Sequence, residues 1–184
     1  MRQVILLTCT AFGIAGCLPA YQIPLAKPSA EFVLVAENES RSTTIRSIYT
    51  WVFKNEDCEK SAYGMNAGSA TLSESTSAVA PRRIVAGEKF VFTSAYIDAR
   101  VGQNRQCSIT GSFTPQPNHS YKALLLVNEQ VTMCKLGIYD TTNHKDEQIE
   151  FFMPKFVCED QGKSARLNGQ PLWTDWKVRV IRTP

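Results

Sequence analysis

The chain reads as all-β: an antiparallel β-sandwich, or a small barrel, of about seven to eight strands that disulfides staple together. Three observations carry that reading. Short runs rich in Val, Ile, Thr, Phe, Tyr and Trp recur along the sequence, separated by Gly, Pro, Asn and Asp. Several of them alternate with period two, as a strand with one buried face requires, while no sustained helical or heptad repeat is present. Finally, Cys58, Cys107, Cys134 and Cys158 form an even set without a Cys-x-x-Cys pair, which favours two disulfides over a zinc site.

The elements follow in order. Residues 18–30 contain Pro19, Pro24 and Pro28, which disfavour helix and interrupt pairing; they predict a tether reaching at most ~45 Å when extended. The domain then spans 31–184. Phe32-Val33-Leu34-Val35 is a short apolar strand. Residues 43–53 predict a longer one, with Ile45, Tyr49, Trp51 and Phe53 on its buried face. Residues 61–80, rich in Gly, Ser, Thr and Ala, read as a long loop with weak or partial structure. Residues 82–86 and 89–96 predict two strands separated by Gly87, and residues 106–114 another, with Cys107, Ile109, Gly111 and Phe113 on one face. After the turn at 115–119, residues 121–128 and 131–139 give two more. Residues 149–157 form an apolar segment interrupted by Pro154, with a helical alternative over 146–153. The last strand is 173–181, where Trp176, Val178 and Val180 oppose Lys177, Arg179 and Ile181.

If the strands at 106–114, 121–128 and 131–139 form a simple meander, Cys107 and Cys134 sit two strand spacings apart, near 10 Å. That exceeds the ~7 Å limit for a disulfide, so the expected pairs are Cys58–Cys107 and Cys134–Cys158.

Residues 1–17 bear on location. Arg2 precedes an apolar run through Val4, Ile5, Leu6, Leu7, Ala11, Phe12 and Ile14. The run is shorter than the ~20 residues of a spanning helix and has the layout of a signal peptide. It ends in Ile14-Ala15-Gly16-Cys17, which resembles the lipobox of bacterial lipoproteins cut by a type II signal peptidase. The resemblance implies a signal peptide over 1–16, a lipid chain such as palmitate on Cys17, and a lipidated tether over 17–30. It implies a membrane-attached protein whose partner is the lipid bilayer. Leu18 stands where an Asp would signal inner-membrane retention, so the expected site is the outer membrane, facing the periplasm or the exterior. No later segment is long and apolar enough to span a bilayer.

Residues 84–140 are similar, through Ala86-Gly87, the Cys107 strand, Phe113-Thr114-Pro115, Tyr121 and the Cys134 strand, to uncharacterised envelope lipoproteins of sandwich type. That likeness implies an immunoglobulin-like or transthyretin-like sandwich and carries no activity. Tyr121, opening a strand after a turn, resembles a tyrosine corner.

Function classes can be narrowed. The formal charge is +3, and removal of Arg2 with the leader leaves one positive charge fewer; a nucleic-acid partner is not expected without a concentrated basic face. The two histidines, His119 and His144, fall in polar turns and read as solvated loop residues. Neither a Gly-x-Ser-x-Gly elbow nor a His-Glu-x-x-His pair is present, and Gly64–Gly68 lacks the Lys-Ser/Thr of a phosphate loop. Glu56, Asp57 and Glu59 could in principle serve glycoside hydrolysis, and Asp140, Asn143, Asp146 and Glu147 could offer oxygens to calcium; both sets read better as polar loops. The expectation is a non-catalytic interaction module without catalytic residues, cofactor or metal. Its partner would be an envelope protein or glycan, and Trp173 and Trp176 form a possible interaction patch. The alternatives are an assembly lipoprotein of a secretion or envelope machine, and an envelope hydrolase or hydrolase inhibitor.

Overall fold

Alternation of buried with half-buried or exposed residues marks β1 (Ser29–Asn38) and β8 (Ser120–Val127) as strands with one face in a core. β1 sends Phe32, Leu34 and Ala36 inward, and β8 sends Tyr121, Ala123 and Leu125. The computed structural model describes residues 19–39, 45–72 and 75–175. Within them the two strands lie side by side in parallel, from Glu31 opposite Ser120 to Asn38 opposite Val127. β9 (Cys134–Asp140) pairs with β8, and β10 (Glu147–Gln148) pairs with the far end of β9. β4 (Thr76–Ala78) and β5 (Arg82–Val85) share the other edge of β1.

The facing sheet has the order β13–β7–β6–β2–β3 and is antiparallel throughout. Its strands are β2 (Ile45–Phe53), β3 (Asn66–Leu72), β6 (Phe90–Arg100), β7 (Gln103–Phe113) and β13 (Leu172–Asp175). Between the sheets lies an aromatic cluster: Phe32 sits 4.8 Å from Phe92 and 5.1 Å from Phe90, and Phe113 sits 4.9 Å from Tyr121, all edge-on. Edge-to-face rings at these separations stabilise beyond their area burial.

A third layer explains why the first seven residues of β6 are all buried, on both faces. The ribbon of β11 (Phe156–Glu159) and β12 (Gly162–Leu167) packs over the outer face of this sheet. There Thr93 donates to the Cys158 carbonyl at 2.9 Å, and the Cys158 N–H donates to Thr110 at 2.8 Å. Cys58 meets Cys158 beneath it, and Phe53, Met65 and Val91 fill the space around that disulfide.

The all-β sandwich and its two disulfides agree with the sequence reading, and several finer expectations are corrected. Thirteen strands are described, not seven or eight: β4, β10 and β11, of two to four residues, are too short to show a pattern, and the longer β3 and β12 are built mostly of small or polar side chains. Within residues 61–80 the structure is more than partial: β3 and β4 lie there, and their small polar side chains suit half-exposed edges. The 146–153 segment is not helical: β10 is followed by an extended crossing to the other sheet. In β2 the inward residues are Arg46, Ile48, Thr50 and Val52. Tyr49 and Trp51 instead stack at 6.1 Å on the outer face, where Trp51 packs on the Cys58–Cys158 cluster.

The disulfides pair as Cys58–Cys158 and Cys107–Cys134, with Cα separations of 5.2 and 6.3 Å. The meander assumption fails because the chain changes sheets at residues 114–119. β7 and β9 therefore face one another across the sandwich, and the inward-pointing Cys107 and Cys134 bridge the layers. The stretch 18–30 is also no free spacer from Pro19 onward. Tyr21 is only 4% exposed and packs on Tyr63 and Phe90. Its N–H donates to the Asn66 carbonyl, while the Pro19 carbonyl accepts from Met65 and Asn66. Cys17 and Trp176 lie outside the described residues, as does the stretch 176–181 of the last expected strand.

Candidate functional site

The feature best suited to binding is a groove along one side of the sandwich, and it originates in how the chain treats the edge of β9. In an antiparallel ladder, successive residues turn their backbone groups to opposite edges. Asn128 N–H donates to the Met133 carbonyl and Thr141 N–H to the Ser120 carbonyl, both on the β8 side. Ile149 N–H donates to the Ile138 carbonyl from the other side. This phase sends the N–H and C=O of Cys134 and Leu136 away from β8. β10 and Ile149 cover the outer edge only as far as Ile138. The chain then leaves, and Phe152 exchanges two hydrogen bonds with Ser112 of β7, at 2.8 and 2.9 Å. Among the described residues no strand covers Cys134 and Leu136.

The edge of β7 is filled along most of its length. Phe152 bonds Ser112, Gly169 N–H donates to the Ser108 carbonyl, and β13 pairs with Gln103 to Gln106. Between them, Asn168 accepts from Thr110 N–H at 2.8 Å and donates to the Thr110 and Pro154 carbonyls at 2.7 and 2.9 Å. That one side chain ties the crossing segment, the ribbon and β7 together, giving the groove a fixed wall.

The groove has a volume of ≈ 630 Å³. Ile109, Leu136, Met153 and Leu167 supply its apolar lining, and Lys135 and Lys155 its charge. Met153 and Leu167 are about half exposed. Among the described residues neither ammonium has a carboxylate within ion-pair distance; Lys155 rests over the Phe156 ring at 5.3 Å. Lys135 also borders a second cavity, of ≈ 400 Å³, whose lining includes Glu37 and Glu39.

Trp173 stands close by on β13, 49% exposed. Its indole N–H donates to the Val131 carbonyl at 3.4 Å, and the Arg105 guanidinium lies 4.9 Å over its ring. Arg105 in turn holds Gln130 through both its backbone and its side-chain carbonyl. The indole is thus half committed to fixing the β8–β9 loop and half available to a partner.

The remaining sequence-level candidates separate. Glu56 bonds Ser112 at 2.6 Å and Lys89 at 3.0 Å, bonds that together hold its carboxyl below the usual range. Glu59 pairs with Lys54 and Asp57 with Lys163. These acids fasten loops and do not flank a common space. Asp146 pairs with Lys122, and Asp140 turns toward His119 and Thr142, so the 140–147 oxygens do not converge. His144 adopts a positive φ of 59° in an exposed turn.

His119 is not the solvated side chain the sequence suggests. Its Nδ1 lies 2.6 Å from Asp140 Oδ2, and its ring stacks on Tyr121. The Tyr121 hydroxyl accepts from Gln116 N–H at 3.0 Å, five residues upstream, as in a tyrosine corner. Burial works to raise the Asp140 carboxyl, but hydrogen bonds from Thr142 and His119 outweigh it and leave the group below its ordinary range. A depressed carboxylate stabilises the fold above the unfolded value of about 3.9 and loses that contribution as pH falls through the folded value. Carbon-13 titration of the Asp140 carboxyl should therefore give a midpoint below the ordinary aspartate value of about 3.9. His119→Ala should move the midpoint upward and cost about 1–3 kcal/mol; an unchanged midpoint would show that the pair does not hold in solution.

The architecture defines a three-layer, disulfide-stapled β-sandwich with an open lateral groove. No family model matches the chain, and neither a curated protein nor a solved structure matches it.

Proposed function

We propose that this protein is a lipid-anchored envelope lipoprotein that works by binding, capturing another envelope component in the groove beside β9 without chemical turnover. The observation that carries the reading is the groove itself: an apolar lining and two lysines without a carboxylate partner among the described residues, set between walls fixed by the Cys107–Cys134 disulfide and the Asn168 clamp. Rigid walls lower the ordering cost of binding. The sequence Ile14-Ala15-Gly16-Cys17 supports the anchor, and two disulfides suit an oxidising compartment outside the cytoplasm. Leu18 supports the outer membrane as the destination, in either its periplasmic or its surface orientation.

The docked segment after Pro19 favours a second reading, an assembly lipoprotein working at the membrane face. With Pro19 already bonded to the fold, only Leu18 would separate a lipid on Cys17 from the domain. The hydrolase reading would have to draw on His119 and Asp140, which stabilise a strand start as they stand.

Two measurements test the proposal together. Labelled palmitate should enter the mature protein, and Cys17→Ser should abolish the label. Affinity capture from crosslinked envelopes should lose its main partner in a Met153→Glu/Leu167→Glu variant of unchanged circular dichroism, while His119→Ala and His144→Ala variants retain it. If the groove variant captures normally and a histidine variant destroys a hydrolytic activity, the binding reading fails and the enzyme reading replaces it.

A further inference from the structure

Resting on the binding reading, the geometry points to the class of partner: we infer that the groove takes an extended peptide strand carrying alternating apolar and acidic side chains, added antiparallel to β9 in line with β10. Two independent features converge on this. The first is the unpaired edge. Cys134 and Leu136 direct N–H and C=O groups away from β8, and the strand that would have satisfied them stops at Ile149. An open edge of this kind is the template for strand addition. The second is charge. Lys135 and Lys155 border the same groove without a carboxylate partner among the described residues, so an entering strand gains from acidic groups and is opposed by basic ones.

The side-chain pattern follows from strand geometry. Alternate residues of an added strand point to opposite faces. On the inward face they would meet Ile109 and Leu136, continuing the apolar interior. On the outward face they would lie beside Lys135, whose neighbours on the outer side of β9 are Gly137 and Tyr139. Gly137 has no side chain, and the Tyr139 ring folds over it, so Lys135 is the charged group that this face of β9 offers beside the open edge. The chain's own C-terminal residues fit poorly as the occupant, because Lys177, Arg179 and Arg182 would bring like charge to the two lysines.

The test uses the mature full-length protein in detergent micelles and two blocked decapeptides, one alternating valine with glutamate and the other valine with lysine. The readout is amide hydrogen exchange at single-residue resolution. The glutamate peptide should bind about tenfold or more tightly than the lysine peptide and should slow exchange at the Cys134 and Leu136 amides. Lys135→Glu/Lys155→Glu should reverse the preference without altering the unliganded exchange pattern. Saturation without protection of those two amides, or equal affinity for both peptides, overturns the inference. So does protection already present in the unliganded protein, whether removal of residues 176–184 abolishes it, which would make the tail the occupant, or dilution does, which would make a second copy the occupant. Failure here with envelope capture still dependent on Met153 and Leu167 removes the peptide class and leaves the binding function standing. Failure of both removes the function as well.

Discussion

Replacing Cys58 and Cys158 together by alanine should lower the unfolding free energy by about 4–5 kcal/mol, the larger loss of the two disulfides. The crosslink joins residues 100 apart, and the entropy removed from the unfolded chain grows with the logarithm of the closed loop. Cys107–Cys134 closes a separation of only 27, for which the same relation gives about 3.5 kcal/mol. The native state adds a difference of kind. Cys58–Cys158 fastens the β11–β12 ribbon over β6 and β7, so its loss should also speed amide exchange around Val91, Thr93 and Thr110, which the ribbon covers. Cys107–Cys134 joins the two main sheets beside the groove. Urea unfolding of the two double variants, read with exchange at Thr93, checks both points. A greater loss on removing Cys107–Cys134, with the ribbon still protected in the Cys58/Cys158 variant, would contradict the layered description.

Phe92→Ala should cost about 3–5 kcal/mol, the range for truncating a fully buried aromatic ring. Phe92 has no exposed surface, lies 4.8 Å from Phe32 and 5.5 Å from Phe90, and meets Phe113 edge-on at 6.4 Å. It is the point where strands of both sheets share a cluster, and backbone pairing on either side of β6 keeps the sheet from collapsing into the cavity. Trp173→Ala, on a half-exposed edge, should cost about 1 kcal/mol or less. Thermal or urea denaturation of the pair gives the comparison directly. Similar losses in the two variants would mean that the aromatic cluster is not the centre of the core.

Much of this fold was legible in the residues. The positions of β1, β7 and β8 are visible in the sequence, and so is the even cysteine count; β1 and β8 alternate in burial, while β7 is buried on both faces from Cys107 to Phe113. What escaped has a physical source in each case. The parity of β2 is not legible because its largest side chains, Tyr49 and Trp51, stand half-buried on the outer face, where Trp51 packs on the Cys58–Cys158 cluster, and a single sequence shows that a face is apolar without showing which layer it meets. The disulfide pairing depended on where the chain changes sheets, a tertiary choice made at Pro115–His119 that local spacing does not encode. Tyr21 and Ile23, two apolar residues among prolines, were the available sign that the N-terminal stretch docks. The groove was almost invisible: Ile109, Leu136, Met153 and Leu167 look like ordinary strand residues, and the open edge exists only because the chain departs at Glu150. Trp173 stands out in the sequence as an aromatic at a strand entry between Pro171 and Asp175, and the fold leaves it half exposed beside the β8–β9 loop.

The most direct measurement is site-specific photo-crosslinking of the anchored protein in intact envelopes. A photoreactive side chain is placed at position 135 or 167 in the groove, or at Ile45 or Val101, both highly exposed and away from it. The expected result is one discrete adduct shared by positions 135 and 167 and absent from 45 and 101, and lost when Met153→Glu is combined with the probe at 135. Adducts of equal yield from all four positions, or none from the groove while 45 or 101 forms a discrete one, would contradict the claim that this groove is where the protein works.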